Sequence, residues 1–286
     1  MSGQRDGHDD VRKRVSEFYG GLVTEPADGC CGSGAAGGVA AAAGYDGAEL
    51  EAVPADAAGS SFGCGNPLAL AEVGRGEVVL DLGAGAGLDV ILAANRVGPT
   101  GRVVGVDMTD AMIAKARANI AAAGLANAEI RKGLIEDLPV ESASVDLVIS
   151  NCVINLSPDK PRVFAEIARV LKPGGRMLVS DIVVEDLPDE VRRNPTLYVA
   201  CVAGAIGEAE YVAGLGRAGL VDVEVRDRLV YDAAQLAALV GAEIPDLAKG
   251  LIEGGATADD LRRLAEAVSG KVWSAKFFAR RPPLAG

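Results

Sequence analysis

Cysteine is the residue type in this chain whose distribution most directly suggests chemistry. Five cysteines accompany a single histidine, His8; they are Cys30, Cys31, Cys64, Cys152 and Cys201. In a reducing compartment such thiols are reactive or ligand-binding groups rather than a disulfide scaffold, and their odd number agrees with that interpretation. Thiolates without histidine partners select a soft, thiophilic centre. Zinc stays an alternative, although no C-x-x-C pair supports a structural zinc site.

A glycine-rich turn indicates a nucleotide-like cofactor. The segment VVLDLGAGAGLD places Asp81, Gly83 and Gly85 directly after a buried strand, where a ligand can approach the backbone. The next strand ends in GVDMTD, so Asp107 is placed to accept hydrogen bonds from both hydroxyls of a ribose. The G-A-G-A-G spacing departs from the full dinucleotide fingerprint, and together with these acids it favours an adenosine without phosphates, as in S-adenosylmethionine.

Further candidate cofactor contacts lie at the neighbouring strand ends. In KGLIEDLP, the apolar Ile135 and an acid, Glu136 or Asp137, suit an adenine edge. The remaining candidates are Phe62, Met108 and Asn151. The structural alternative is that the acids cap helices and that the glycines serve tight turns.

These groups have to be positioned by an alternating series of strands and helices. Between residues 77 and 184, buried apolar strands are separated by helical stretches, which predicts an α/β fold with a doubly wound, mostly parallel sheet. VDVEVRDRLVYD and KVWSAKFFARR alternate well enough to form an antiparallel pair that closes the sheet. We predict three regions: residues 1–74, 75–185 and 186–286.

The regions outside the predicted sheet carry most of the cysteines. The Gly/Ala-rich stretch 23–60 predicts a flexible arm that bears Cys30 and Cys31, because ordering such backbone costs much entropy. Cys201 falls in a predicted helix that could fold over the core. Residues 233–269 are predicted to be a helical insertion.

Cys152 has the most informative position. It follows the strand SVDLVIS and Asn151, and in an open α/β sheet the ligand crevice lies at the carboxyl ends of the strands. A thiol at this place points toward the predicted cofactor. The alternative is that Cys152 is a small buried apolar residue, as free cysteines often are.

Charge and hydropathy exclude some functions. Lys and Arg number 28 against 40 Asp and Glu, so the formal charge is 28 − 40 = −12, which disfavours nucleic acid and anionic membranes as partners. No apolar run approaches the roughly 18 residues that a membrane span requires, and the amino terminus lacks an apolar signal region. We therefore expect a cytoplasmic protein that acts on small molecules.

The sequence closely resembles the arsenite methyltransferases, which methylate trivalent arsenic with S-adenosylmethionine. The resemblance extends over about residues 62–205 and rests on FGCG, DLGAGAGLD, GVDMTD, IEDLP, SNCVINLSPDK, LKPGGR and ACVAGA. SNCVINLSPDK is highly specific, whereas the glycine and acid motifs are common to the wider methyltransferase class. The resemblance implies a class I methyltransferase-like fold and an enzyme that detoxifies arsenic.

The resemblance also implies roles for individual residues. Cys64, Cys152 and Cys201 correspond to the three cysteines that bind arsenic in the family. Phe62 stands where the family usually has a tyrosine, so a cofactor contact through that hydroxyl is absent here. The implied substrates are arsenite and methylated arsenicals.

A further amino-terminal cysteine takes part in redox chemistry in the family, and Cys30 and Cys31 both compete for that role. We hypothesise a transient disulfide between one of them and Cys64, reduced afterwards by thioredoxin or glutathione. A bond between Cys30 and Cys31 themselves would close a strained ring.

Two other functions stay open from the sequence. One is a small-molecule methyltransferase that acts on carbon, nitrogen or oxygen and has incidental cysteines. The other is a non-catalytic protein that binds or senses a soft metal.

Overall fold

The helices and strands of the chain alternate as the sequence predicts. The computed structural model describes residues 2–24, 40–41, 43–63, 65–187, 189–192, 195–199, 201–230, 263, 266 and 268–284. The helices are α1 (Ser2–Thr24), α2 (Gly47–Glu51), α3 (Ala55–Gly59), α4 (Leu88–Val97), α5 (Asp110–Ala122), α6 (Lys160–Val170), α7 (Asp189–Arg192), α8 (Pro195–Val199) and α9 (Glu208–Arg217). The strands are β1 (Val78–Leu82), β2 (Arg102–Asp107), β3 (Ala128–Lys132), β4 (Val145–Asn151), β5 (Leu171–Val184), β6 (Val221–Val230) and β7 (Val272–Arg280).

Within the described residues the strands form one seven-stranded sheet in the order β3-β2-β1-β4-β5-β7-β6. Strands β1 to β5 are parallel to one another. Strand β7 is antiparallel to both β5 and β6. Asp81 of β1 pairs with Gly105 of β2 and with Ile149 of β4, so the carboxyl ends of three strands lie side by side. The predicted parallel sheet and its closing antiparallel pair are both confirmed.

Helices cover both faces of the sheet. On one face, α4 and α5 bury apolar side chains such as Ile91 and Ile113 against the strands. On the other face, α6 and α9 bury Phe164 and Tyr211, and the Tyr211 ring stacks on Phe277 with 4.0 Å between centroids. Strands covered on both sides have continuous apolar sequences, which explains the runs VVLDL and VDLVIS. Each large apolar side chain buried in this way contributes about 1.5–3 kcal/mol.

The prediction of a flexible arm over residues 23–60 is wrong for its second half. Residues 43–60 contain α2 and α3. Asp46 caps α2, because its side chain accepts from the Glu49 amide at 2.8 Å and its own amide donates to the Glu49 side chain at 3.1 Å. Tyr45 is buried. A capping box and one buried aromatic side chain offset the entropy cost of ordering this glycine-rich backbone.

Cys201 lies in a turn rather than in the predicted helix. Helix α8 ends at Val199, and the Cys201 amide donates to the Tyr198 carbonyl at 3.0 Å. The backbone of Cys201 has φ +62°, a left-handed conformation that cannot continue a right-handed helix. Helix α8 itself begins at Pro195. The insertion predicted at 233–269 falls for the most part outside the described residues.

Helix α1 packs its apolar side against the region around Cys152 and Cys201. Val15 belongs to a buried cluster with Cys152 and Cys201, and Phe18 and Tyr19 pack on it. The Tyr19 hydroxyl donates to the Val199 carbonyl at 2.9 Å. Across the described part of the chain, no helix combines the length and apolar character that crossing a membrane requires.

Candidate functional site

A cleft opens at the carboxyl ends of β1, β2 and β4. Its walls include every residue that the sequence predicts for the cofactor: Phe62, Asp81, Gly83, Gly85, Asp107, Met108, Ile135, Glu136 and Asn151. Cys152 also lines it, as do Arg12, Val15 and Tyr19 of α1. The sheet topology thus brings the predicted residues together, and their individual roles in binding stay predictions.

The glycine turn brings backbone to the floor of the cleft. Gly83 has φ +69° and Gly85 has φ +50°, values that favour glycine. A Cβ at Gly83 would lie 2.4 Å from a methyl carbon of Val153, so a side chain would not fit. The Gly85 amide donates to the Asp107 carboxylate at 2.9 Å, which joins the first strand end to the second.

Three carboxyl groups lie close together at the turn. Burial, together with the charges of Asp89 and Asp107, raises the pKa of Asp81 well above its usual range. Burial also raises the pKa of Asp89, to about 6. Burial raises the pKa of Asp107 as well, although hydrogen bonds from the Thr109 and Gly85 amides lower it in part. In the described structure neither Asp81 nor Asp107 forms an ion pair with a basic side chain. Among these acids, Asp89 is also influenced by the Arg96 charge, which lowers its pKa in part. The acids at the strand ends suit a ligand that carries positive charge, as S-adenosylmethionine does on its sulfonium and amino groups.

Glu136 is held by protein groups at the cleft wall. Its Oε1 accepts from the Ser157 hydroxyl at 2.7 Å and from the Arg12 guanidinium at 3.2 Å. The Arg162 side chain donates to its carbonyl at 2.7 Å. Ile135, the preceding residue, presents an apolar side chain to the cleft. The Glu136 carboxylate therefore already has two protein donors, Ser157 and Arg12.

Asn151 joins the end of β4 to the segment that contains Cys64. Its Oδ1 accepts from the Gly65 amide at 3.2 Å, and its Nδ2 donates to the Gly65 carbonyl and, at 3.1 Å, to the Tyr45 hydroxyl. A Cβ at Gly63 would lie 2.2 Å from Asn151 Nδ2, and one at Gly65 would lie 2.0 Å from Ser180 Oγ. Glycine at positions 63 and 65 therefore lets the backbone there pack directly against β4 and β5.

Cys152 and Cys201 come together beside the cleft. The Cys201 thiol donates to the Cys152 carbonyl at 2.8 Å, and both side chains are buried. Both backbones are left-handed, with φ +59° at Cys152 and φ +62° at Cys201. This conformation is strained for residues other than glycine, and such strain concentrates at functional sites.

The oxidation states of these two cysteines differ. Cys201 is a buried thiol, whereas Cys152 is disulfide-bonded. The role of Cys152 as an arsenic-binding thiolate requires its reduced form and stays a prediction. Cys30, Cys31 and Cys64 lie outside the described residues, and among the residues that are described no group of three or more His, Cys, Asp or Glu is arranged to hold a metal ion.

Several residues of the site were missed in the sequence. Tyr45 donates to Asp89 at 2.7 Å and accepts from Asn151, which connects the glycine turn to β4. Asp89 was visible as a buried acid near the start of an otherwise apolar helix. Arg12 was visible as a basic residue on the apolar side of α1. Tyr45 gave no such indication, because it lies in a stretch of low complexity.

Comparison with known proteins agrees with this geometry. Residues 74–229 match a protein-family profile described as a methyltransferase domain. The chain is 45% identical over 231 residues to an arsenite methyltransferase of Halobacterium salinarum, an alignment that covers 76% of this chain and 59% of that protein. It is 33% identical over 219 residues to the arsenite methyltransferase of Mus musculus, covering 72% of this chain and 56% of the relative. The chain therefore spans less than three fifths of the length of these curated relatives.

A solved structure extends the comparison. CrArsM, an arsenic(III) S-adenosylmethionine methyltransferase from Chlamydomonas reinhardtii, aligns with a TM-score of 0.62 and 33% identity over 88% of this chain and 76% of that chain. The sheet order, the glycine turn and the acids at the strand ends define a class I methyltransferase fold. Within that class the chain belongs to the arsenite methyltransferase family.

Proposed function

We propose that this protein transfers a methyl group from S-adenosylmethionine to trivalent arsenic, with arsenite and methylated arsenite as substrates, and thereby detoxifies arsenic. The observation that carries the proposal is the meeting of Cys152 and Cys201 beside the cleft of the glycine turn. The packing of Gly63 and Gly65 supports a place for Cys64 at the same strand ends. Three thiolates form a soft ligand set that suits trivalent arsenic.

The proposed reaction is an in-line displacement at carbon. S-adenosylmethionine supplies a methyl group already activated on a sulfonium. The arsenic lone pair forms the new As–C bond while the S–C bond breaks, and its electron pair leaves with S-adenosylhomocysteine. The protein contributes mainly orientation and a site from which water is excluded. No imidazole base is required, which agrees with the single histidine of the chain.

The proposed cycle also requires a reductant. Methylation raises arsenic formally from the trivalent to the pentavalent state, so two electrons are needed to regenerate a trivalent product. Two cysteine thiols supply those electrons, and lose two protons, when they become a disulfide. Cys30 or Cys31 with Cys64 stays the pairing expected from the sequence. Thioredoxin or glutathione would return the disulfide to thiols.

The test is arsenic speciation after turnover with arsenite, S-adenosylmethionine and a thiol reductant. We expect Cys152→Ser and Cys201→Ser to lose at least about 100-fold in methylated product, since each removes one arsenic ligand, which at about 3 kcal/mol corresponds to that factor. Both variants should bind S-adenosylmethionine as the wild type does, which calorimetry measures.

Cys30→Ser and Cys31→Ser are the matched controls. We expect each to bind arsenite normally and at least one to keep turnover, because only one of the two is needed for the redox step. Full activity in Cys201→Ser would refute the proposed ligand set. Wild-type protein that binds arsenite but releases no methylated arsenic would favour the soft-metal binding function instead.

A further inference from the structure

A group of ionisable and polar side chains lies beside Cys201 but outside the cleft. Its members are Asn155, Lys160, Asp181 and Tyr211, contributed by the turn after β4, by α6, by β5 and by α9. None of them lines the cleft. Buried charge is costly unless it is paired or has a function, so this group requires an explanation.

Asp181 accepts hydrogen bonds from two other members of the group. It is fully buried, its Oδ1 accepts from the Asn155 side chain at 2.8 Å, and its Oδ2 accepts from the Tyr211 hydroxyl at 3.4 Å. Burial raises the pKa of Asp181 to about 7, although the charge of Lys160 acts in the opposite direction. Near neutral pH, Asp181 therefore only partly balances the charge of Lys160.

Lys160 holds the turn that follows β4. Its ammonium donates to the Asn155 carbonyl at 3.2 Å and to the Ser157 carbonyl at 3.0 Å. Burial lowers the pKa of Lys160, and the negative charges that face it, from Asp181, Cys201, Glu210 and Glu136, raise it. The ammonium therefore joins two carbonyls of one short turn.

The loop that carries Cys201 docks on the same turn. The Tyr198 hydroxyl donates to the Leu156 carbonyl at 3.2 Å. A Cβ at Gly204 would lie 2.3 Å from the Asn155 carbonyl oxygen, so the loop passes very close to the atom to which Lys160 donates. Lys160 consequently fixes the surface on which the Cys201 loop rests.

We propose that Lys160 is a positioning residue of the arsenic site, which ties the turn after β4 beneath the Cys201 loop through its two hydrogen bonds. This inference rests on the proposed function, because it concerns the same cysteines. It assigns to the Lys of SNCVINLSPDK a role distinct from opening α6. A side chain without a donor at this position would leave both carbonyls of the turn without their bonds to residue 160.

The variants of the test remove or keep the hydrogen bonds to the turn. Lys160→Met has no donor for the two carbonyls, whereas Lys160→Arg keeps donors on a long side chain. Lys172→Met is the matched control. Lys172 forms an ion pair with Asp146 at 2.7 Å near the amino end of β4, away from the carboxyl ends of the strands where the cleft opens. Arsenite affinity of the reduced full chain is measured by equilibrium dialysis with elemental analysis, and S-adenosylmethionine affinity by calorimetry.

We expect Lys160→Met to lose about tenfold in arsenite affinity, because the turn beneath the Cys201 loop loses both hydrogen bonds from residue 160. Lys160→Arg should stay within about threefold of the wild type, and Lys172→Met should be unchanged. S-adenosylmethionine affinity should be the same in all four proteins. Wild-type arsenite affinity in Lys160→Met, or equal losses in the Met and Arg variants, would overturn the proposal.

A second measurement needs no variant and covers the case in which Lys160→Met does not fold. The wild type is labelled with acetic anhydride, with and without arsenite, and the modification of each lysine is quantified by peptide mass spectrometry. Arsenite should slow the labelling of Lys160 about tenfold and leave Lys172 unchanged, because arsenic bound by Cys201 holds its loop against the turn and restricts access to the ammonium. Equal labelling of Lys160 in both samples, with arsenite shown to be bound, overturns the proposal. If arsenite does not bind at all, the proposed function fails and Lys160 is not its cause.

Discussion

Asn151→Ala tests whether the end of β4 fixes the segment around Cys64. The substitution removes the hydrogen bonds of the side chain with the Gly65 amide, the Gly65 carbonyl and the Tyr45 hydroxyl. A hydrogen bond contributes about 0.5–1.5 kcal/mol net, so three contribute about 3 kcal/mol, of which water that enters the site restores a part. A remaining loss of about 1.5–3 kcal/mol corresponds to roughly a 10- to 100-fold smaller population of the docked segment.

The assay is steady-state methylation with arsenite and S-adenosylmethionine varied in turn. We expect kcat/KM for arsenite to fall by about 10- to 100-fold. We expect kcat/KM for S-adenosylmethionine to fall less, because the glycine turn and Asp107 do not depend on the Asn151 amide. Thermal denaturation of the same samples measures the cost in stability.

Asn127→Ala is the control. Asn127 is also half-buried, and its Nδ2 donates to the carbonyls of Ala94 at 3.0 Å and Gly98 at 2.9 Å, at the amino end of β3 and far from the cleft. It should lose comparable stability and keep its arsenite kinetics. If both variants lost arsenite kcat/KM to the same degree, the effect would be general destabilisation and the reasoning about Asn151 would be refuted.

Three further substitutions have defined outcomes. Gly83→Ala should weaken S-adenosylmethionine binding at least about tenfold in calorimetry, since φ +69° and a 2.4 Å contact both oppose a side chain; unchanged affinity would contradict this. Gly65→Ala should lower stability by about 1–3 kcal/mol in denaturant unfolding, and Ser180→Gly should restore part of it by removing the atoms that the new Cβ meets; additive losses would show that the two sites are independent. Asp181 has a folded-state pKa of about 7 against an ordinary 3.8, so its contribution to stability is greatest below about pH 4 and is lost as the pH rises to about 7. Wild-type stability should therefore fall relative to Asp181→Asn by up to about 1.4 kcal/mol per pH unit across that range, and parallel pH profiles of the two proteins would contradict it.

The sheet and the cleft were predictable because their determinants are local. Parallel strands covered on both faces need apolar runs, and a turn that accepts a ligand needs glycine at positions such as Gly83 and Gly85. The position of Asp107 follows from the strand that precedes it. All of these depend on periodicity and on residue type, which a sequence displays directly.

The parts that were not predicted depend on tertiary contacts. The packing of residues 43–60 comes from Tyr45, whose hydroxyl reaches Asp89 and Asn151, and composition alone suggested the opposite. The turn at Cys201 requires a left-handed backbone at a residue other than glycine, which residue type cannot reveal. The oxidation of Cys152 depends on which thiol approaches it in space.

Helix α1 has a consequence for variants of the amino-terminal region. Arg12, Val15 and Tyr19 form part of the cleft wall, and α1 bonds to the rest of the protein through Glu136 and the Val199 carbonyl. A substitution in α1 that breaks either bond therefore alters the wall of the cleft, even though this helix is remote in sequence from the glycine turn.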